Sequence, residues 1–222
     1  ERLQTIQYTG KLGREFNPIT FDITGLQPGT TYNYTIKATS GKKNESFSSQ
    51  FTTQTLWMNR TAVPDFSFLA GSCSYFNDPV YDRPGTPYGG DSSIFLTMAK
   101  TKADFMLWLG DNWYTRDVDY YSSWGLWNKA HETRVQPVLQ PFLSAMPHYA
   151  TWDDHDFGPN NFGSSYVFKD VSRKVFKSYW ANPTYGMDGK GIYTQFAFAD
   201  AAFFLLDDRT WRSSDDMKDS IN

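Results

Sequence analysis

The sequence predicts a layered α/β domain preceded by a small β-rich segment, and three observations carry that prediction. Residues 21–53 alternate apolar and polar side chains at a period of two. Three later runs, at 66–71, 103–109 and 148–152, are short and apolar, and each breaks into a polar cluster. The segments between those runs repeat apolar residues at helical spacing. Strands separated by helices indicate an open α/β sheet, whose strand carboxyl ends meet along one edge.

In the first segment, Phe21 and Ile23, then Tyr32, Tyr34, Ile36 and Ala38, alternate with Asp22, Thr24, Asn33, Thr35 and Lys37. Residues 25–30, with Pro28-Gly29 at their centre, form a turn signal, and a second one at 40–44 leads into 47–53. The pattern ITGLQPGTTYNYTIKA, closing with SSQFTTQT, resembles a fibronectin type III-like sandwich. Such a sandwich uses roughly 100 residues, so residues 1–56 hold only its later strands. The segment is expected to be a binding or spacer module without chemistry. Residues 57–65 read as a linker ending at Pro64, and residues 66–222 as the α/β domain.

Within the α/β domain, residues 76–91 are rich in Pro, Gly, Asp and Tyr and read as a long loop bordering a site. Asp91-Ser92-Ser93 starts a helix to Lys100, with Ile94, Phe95, Met98 and Ala99 on one face. Residues 119–144 are helical, interrupted at Pro137 and Pro141, and residues 171–180 form another helix. Residues 193–199 and 202–206 form a hairpin around Ala199-Asp200-Ala201, and a polar tail occupies 213–222.

Aromatic content of 18% and hydrophobic content of 40% supply a packed core, which excludes global disorder. A net charge of −3 gives no broad attraction to nucleic acid or an anionic membrane. An anionic substrate therefore needs a local positive group, and a bound metal would serve. The single cysteine rules out an intrachain disulfide without fixing the compartment. No apolar run reaches membrane-spanning length. Beginning at Glu1 rather than Met, the chain reads as a mature or trimmed product.

The densest chemistry lies in PHYATWDDHDFGPNNF, residues 147–162. It sets Asp153, Asp154, His155 and Asp156 side by side, then Gly158-Pro159 and Asn160-Asn161 on a loop. Carboxylates crowded around an imidazole repel, so such a cluster raises a pKa or binds a cation. The plainer alternative is a helix N-cap or turn with solvated aspartates. The other two runs end in Ser72-Cys73-Ser74 and in Gly110-Asp111-Asn112-Trp113-Tyr114. If the three strand ends share one edge, thiolate, carboxylate, phenolate, imidazole and amide oxygen meet there. Thiolate and phenolate favour a transition metal, and the oxygen-rich remainder a hard cation. Two metals about 3.5–4 Å apart, bridged by a carboxylate, clamp a phosphoryl group for hydrolysis. Taken singly the signals are plainer. Cys73 reads as a small buried hydrophobe and Tyr114 as a core-edge aromatic. His131 and His148, lacking acidic neighbours, read as structural. Arg209 pairs with Asp207 or Asp208, or else faces a phosphate.

The motifs GSC, GDxxY and WDDHD, in that order, resemble those of the alkaline phosphatase D family of calcineurin-like metallophosphatases. The run FFLLDDRTWR fits that family's later strand, so the resemblance covers about residues 66–212. It implies a metallophosphatase-type α/β domain, preceded in many members by a β-sandwich, in a periplasmic or secreted protein. The implied activity is hydrolysis of a small phosphate ester, mono- or diester, by a metal-bound hydroxide at a two-metal site. Cys73 and Tyr114 match ligands of a ferric ion, and Asp111 matches the carboxylate bridging to Ca²⁺. Asn160 or Asn161 matches a calcium ligand. Asp154 occupies the place of a ligating asparagine in related enzymes, at or beside the metal. His155 matches the catalytic histidine, which protonates the leaving oxygen or stabilises phosphoryl charge, with Asp156 or Asp153 orienting its ring. Arg209 would neutralise a phosphate oxygen. Zinc, manganese or magnesium would keep the fold and change the metal assignment. The family draws further ligands from downstream Asp and His motifs, and no His follows His155, so the rest of the catalytic domain is expected beyond residue 222. The rivals are a phospholipase D-like phosphodiesterase and a binding or adhesion protein without turnover. A cysteine hydrolase would need Cys73 paired with a histidine base, and no motif supports that pairing.

Overall fold

The computed structural model describes residues 4–88, 90–214 and 217. Strands β1 (Thr31–Ser40) and β2 (Lys43–Thr52) pair antiparallel from Thr31↔Thr52 to Ser40↔Lys43. Gly41 closes the hairpin at a φ of +58°, a conformation glycine adopts without a Cβ penalty. Tyr32 stacks on Phe51 across the ladder at 5.7 Å. Phe21 and Ile23, expected on a strand, lie in irregular backbone. Among the described residues this segment is a two-stranded ribbon, formed where the pattern marks its two strands, and no third strand pairs with it. Alternation marks a face but supplies no partner strand, and Ile36 and Phe47 accordingly remain exposed.

The site is organised by a three-stranded parallel sheet in the order β3 (Phe68–Gly71), β4 (Phe105–Leu109), β5 (His148–Thr151). All three expected strands form, each slightly shorter than its apolar run. Helix α1 (Ile94–Lys100) crosses from β3 to β4. Between β4 and β5 run α2 (Asp117–Tyr120), α3 (Ser123–Arg134) and α4 (Gln140–Leu143). The breaks fall where the sequence puts them: α3 ends before Pro137, and Pro141 sits in the first turn of α4, where its missing N–H costs nothing. After β5 come α5 (Asp154–Phe157) and α6 (Lys169–Tyr179), then the antiparallel hairpin β6 (Thr194–Phe198) and β7 (Ala201–Leu205). Most of the expected polar tail lies outside the described residues. Among those described, no helix is long and apolar enough to cross a membrane.

Strand β4 is covered on both faces, which is why its run is continuously apolar. Met106 and Trp108 enter the helical core with Phe95, Leu126, Phe142, Val175, Phe176 and Trp180. Phe105 and Leu107 point the other way and meet Leu205, Phe196, Phe198 and Phe203 of the terminal hairpin. Helices, parallel sheet and hairpin thus form three layers, and this sandwich fixes the direction in which β3, β4 and β5 end.

His148 is structural, as its neighbours in the sequence suggest. The Trp108 indole donates to His148 Nδ1 at 2.9 Å, and Nε2 lies 3.1 Å from the Phe142 carbonyl oxygen. That arrangement requires the neutral ring protonated on Nε2, and burial lowers its pKa to about 4. A depressed folded pKa contributes stability above about 6.5, the ordinary value, and loses it as the pH falls through about 4, up to about 3 kcal/mol in all. We expect urea unfolding to show a steeper loss of stability between pH 6.5 and 4.5 in the wild type than in His148→Gln. Equal slopes would refute this reading.

Candidate metal centre

Because β3, β4 and β5 are parallel, the three polar clusters emerge at the same sheet edge. The loops after β3 and β4 stay in register beyond the sheet. The Cys73 amide donates to the Gly110 carbonyl at 3.1 Å and the Ser74 amide to the Asp111 carbonyl at 2.8 Å. Cys73 and Asp111 both sit in the left-handed region, with φ of +59° and +53°. Non-glycine residues held there cluster at functional sites, where the surrounding structure maintains the strain.

Asp111 is the hub. Its Oδ2 accepts from the Tyr114 hydroxyl at 3.0 Å and lies 3.7 Å from Cys73 Sγ, while its Oδ1 accepts from the His155 amide at 3.2 Å. Ligand atoms of Asp111, Asp154 and His155 all lie within 4.8 Å of one another. Asp154 Oδ2 accepts from the Asn161 amide at 2.6 Å, and the Tyr114 and His155 rings lie 4.4 Å apart. Burial pushes the Asp111 carboxyl above the ordinary range, His155 pulls it back, and Asp154 pushes it further up. Burial, with Cys73 and Asp111 beside it, pushes the Tyr114 phenol far above its ordinary value, so the phenol stays protonated and donates.

These residues fit a cation. The thiol and phenol both turn toward one carboxylate oxygen, a place where an ion would replace their hydrogens. His155 Nδ1 is buried without a hydrogen-bond partner among the described residues, which is costly for a nitrogen with nothing to hold.

No family model matches the chain, and no curated protein does. A solved structure of PhoD does match, with a TM-score of 0.63 over 86% of this chain. The chain has the PhoD fold. Identity to PhoD is 20%, a likeness that establishes the fold alone, and the chain spans 39% of the PhoD chain. The layered α/β architecture expected from the sequence is therefore present, and it follows that of the PhoD structure.

Several expected positions land elsewhere. The Arg209 guanidinium does not project freely toward a phosphate: its Nε donates to Asp153 Oδ1 at 2.6 Å, a second nitrogen binds the same oxygen, and Asp208 lies 3.5 Å away. Arg209 is buried, so a close carboxylate must neutralise it, and Asp153 does so. Neither Asp153 nor Asp156 orients the His155 ring. Asp156 is 1% exposed and accepts from the Asn112 amide at 2.7 Å and the Asp153 amide at 3.0 Å. Burial pushes Asp156 well above the ordinary carboxylate range, against the pull of the neighbouring amides. Asp153 and Asp156 thus bracket the first turn of α5 as a cap would, although Asp156 is buried and Asp153 paired rather than solvated, while Asp154 and His155 face Asp111. Asn161 reaches the cluster through its backbone amide, at a φ of +61°, and Asn160 is exposed.

Sequence reasoning missed the supports. Arg116 makes a two-point ion pair with Asp82, at 2.6 and 2.7 Å, that ties the long 76–91 loop to the loop after β4. Arg116 also holds the Asp82 carboxyl well below the usual range. The Thr115 hydroxyl lies 2.8 Å from the carbonyl oxygens of both His155 and Gly158. Thr115 adjoins the GDxxY motif, the one hint available; nothing in the order of residues links Asp82 with Arg116.

Proposed function

We propose that this chain carries one side of a two-cation centre that hydrolyses small phosphate esters. The observation supporting this most directly is the convergence of Asp111, Asp154 and His155 within 4.8 Å at the carboxyl edge of the sheet, in a chain with the PhoD fold. In this reading Cys73 and Tyr114 would hold a ferric ion, Asp111 would be shared with a calcium ion, and Asp154 with Asn160 or Asn161 would supply further donors on this side. Such cations would supply charge for the phosphoryl oxygens and acidify water. His155 lies over the Tyr114 ring, close enough to the cluster to give a proton to the departing alcohol. Asp153 holds Arg209, so Arg209 acts on substrate only by leaving that pair or through it. An extracytoplasmic location belongs to the same proposal and rests on the family resemblance.

Elemental analysis of the purified full-length protein, paired with hydrolysis of 4-nitrophenyl phosphate before and after chelation, tests the proposal. We expect iron with calcium, and turnover lost on chelation and restored by the same ions. Metal-free protein that turns over equally well would defeat the proposal, and bound metal without turnover would favour the binding-protein reading. Faster hydrolysis of bis(4-nitrophenyl) phosphate would assign the site to diesters.

A further inference from the structure

We infer that Asp156, with Thr115 beside it, is a positioning residue that sets the spacing between Asp111 and the Asp154–His155 pair through backbone amides and carbonyls. The inference rests on reading that cluster as a cation site. Strands β4 and β5 pair only as far as Leu109↔Thr151, so beyond that rung the sheet no longer fixes how far Asp111 stands from Asp154. A separate set of bonds does. Asp156 Oδ1 accepts from the amide of Asn112, next to Asp111, and Oδ2 from the amide of Asp153, next to Asp154. One buried carboxyl group thereby holds both loops. The Asn112 side chain returns to the Thr151 carbonyl at 2.8 Å. From the same β4 loop, the Thr115 amide donates to the His155 carbonyl at 3.2 Å, and the Thr115 hydroxyl reaches the His155 and Gly158 carbonyl oxygens. Thr115 is also buried. The left-handed backbone at Asp111 needs such a restraint to persist.

Asparagine at 156 matches the size of aspartate but offers one acceptor oxygen, so its NH₂ must face an amide N–H. Asp156→Asn thus opens one side of the clasp with little change of volume. In the full-length protein, after a chelator has removed its resident ions, we would titrate Mn²⁺ by electron paramagnetic resonance in the wild type, Asp156→Asn, Thr115→Val and Ser172→Ala. Each is measured below its own melting temperature, with near-ultraviolet circular dichroism to establish folding. The Ser172 hydroxyl donates to the Phe157 carbonyl at 2.5 Å, so Ser172→Ala weakens the same turn from α6 without touching the clasp. Asp156→Asn should raise the Mn²⁺ Kd about 10- to 100-fold, the usual effect of losing an outer support. Thr115→Val should raise it several-fold, and Ser172→Ala should lower the melting temperature with the Kd unchanged. Folded Asp156→Asn with a wild-type Kd would overturn the inference alone. If that variant does not fold, Thr115→Val decides: a wild-type Kd overturns the inference, and a raised one supports it. A wild type that binds no Mn²⁺ would overturn the cation reading, and the inference with it.

Discussion

Asp111→Asn in the full-length protein is expected to lower kcat/KM for 4-nitrophenyl phosphate by about a thousandfold or more, equivalent to ~4 kcal/mol of transition-state stabilisation. The size follows from the hub role of Asp111, which receives the Tyr114 hydroxyl, lies 3.7 Å from the Cys73 thiol and accepts the His155 amide. An amide cannot supply the negative charge that would join two cations. Stability should respond differently. Burial raises the folded pKa of Asp111, so its carboxyl contributes stability below the ordinary value and loses that contribution as the pH rises through the folded pKa. Above the ordinary carboxylate range the metal-free wild type bears the cost of burying this group away from water, a cost the neutral side chain of the variant lacks. Urea unfolding in the presence of a chelator should therefore find Asp111→Asn at least as stable as the wild type. Activity retained within tenfold, or metal-free stability clearly lowered, would contradict the assignment of Asp111 as a charge-bearing ligand.

Gly110→Ala should produce the largest stability loss from a single methyl group at this edge. Gly110 has a φ of +95°, and an added Cβ would stand 2.7 Å from Asp153 Cβ, 2.9 Å from the Asp153 amide nitrogen and 3.0 Å from the Trp152 carbonyl carbon. Two of those three contacts are backbone, so nothing flexible can swing aside. The left-handed backbone costs about 1–2 kcal/mol for a residue with a Cβ, and overpacking about 1–3 more. A combined loss of about 3 kcal/mol should lower the urea midpoint by roughly 1 M or more. Relief requires the loops after β4 and β5 to separate, so Mn²⁺ affinity should fall as well. A variant with the wild-type midpoint would show that the two loops are not in contact as described.

How much of this was legible beforehand depended on whether a feature is local. The strands β3, β4 and β5 could be read because burial on both faces demands an uninterrupted apolar run, and a run can be seen in order. The ends of α3 and the start of α4 could be read because proline acts on its own turn. The terminal hairpin appeared within a residue or two of its expected bounds for the same reason. The alternation at residues 31–52 marked the β1–β2 hairpin, but not what covers its outer face, because the partner of an alternating strand is not written in that strand. Residues 153–156 show the boundary most clearly. Four adjacent polar residues looked like one cluster, yet consecutive positions on a helical turn face different ways. Asp154 and His155 meet Asp111, Asp153 meets Arg209, and Asp156 meets the backbone of Asn112.

Sequence alone therefore determined which chemical groups stand at the end of each parallel strand: a thiol after β3, a carboxylate and phenol after β4, and a carboxylate with an imidazole after β5. Tertiary structure decided which of them face one another, which carboxylates are consumed in holding the frame, and that Arg209 is already paired. The reason is physical. A strand's apolar run and its terminating turn are set by interactions within a few residues. Charge pairing and long-range hydrogen bonding are set by distance through space: Arg209 lies 56 positions from Asp153, and Asn112, which donates to one oxygen of Asp156, lies 44 positions from it.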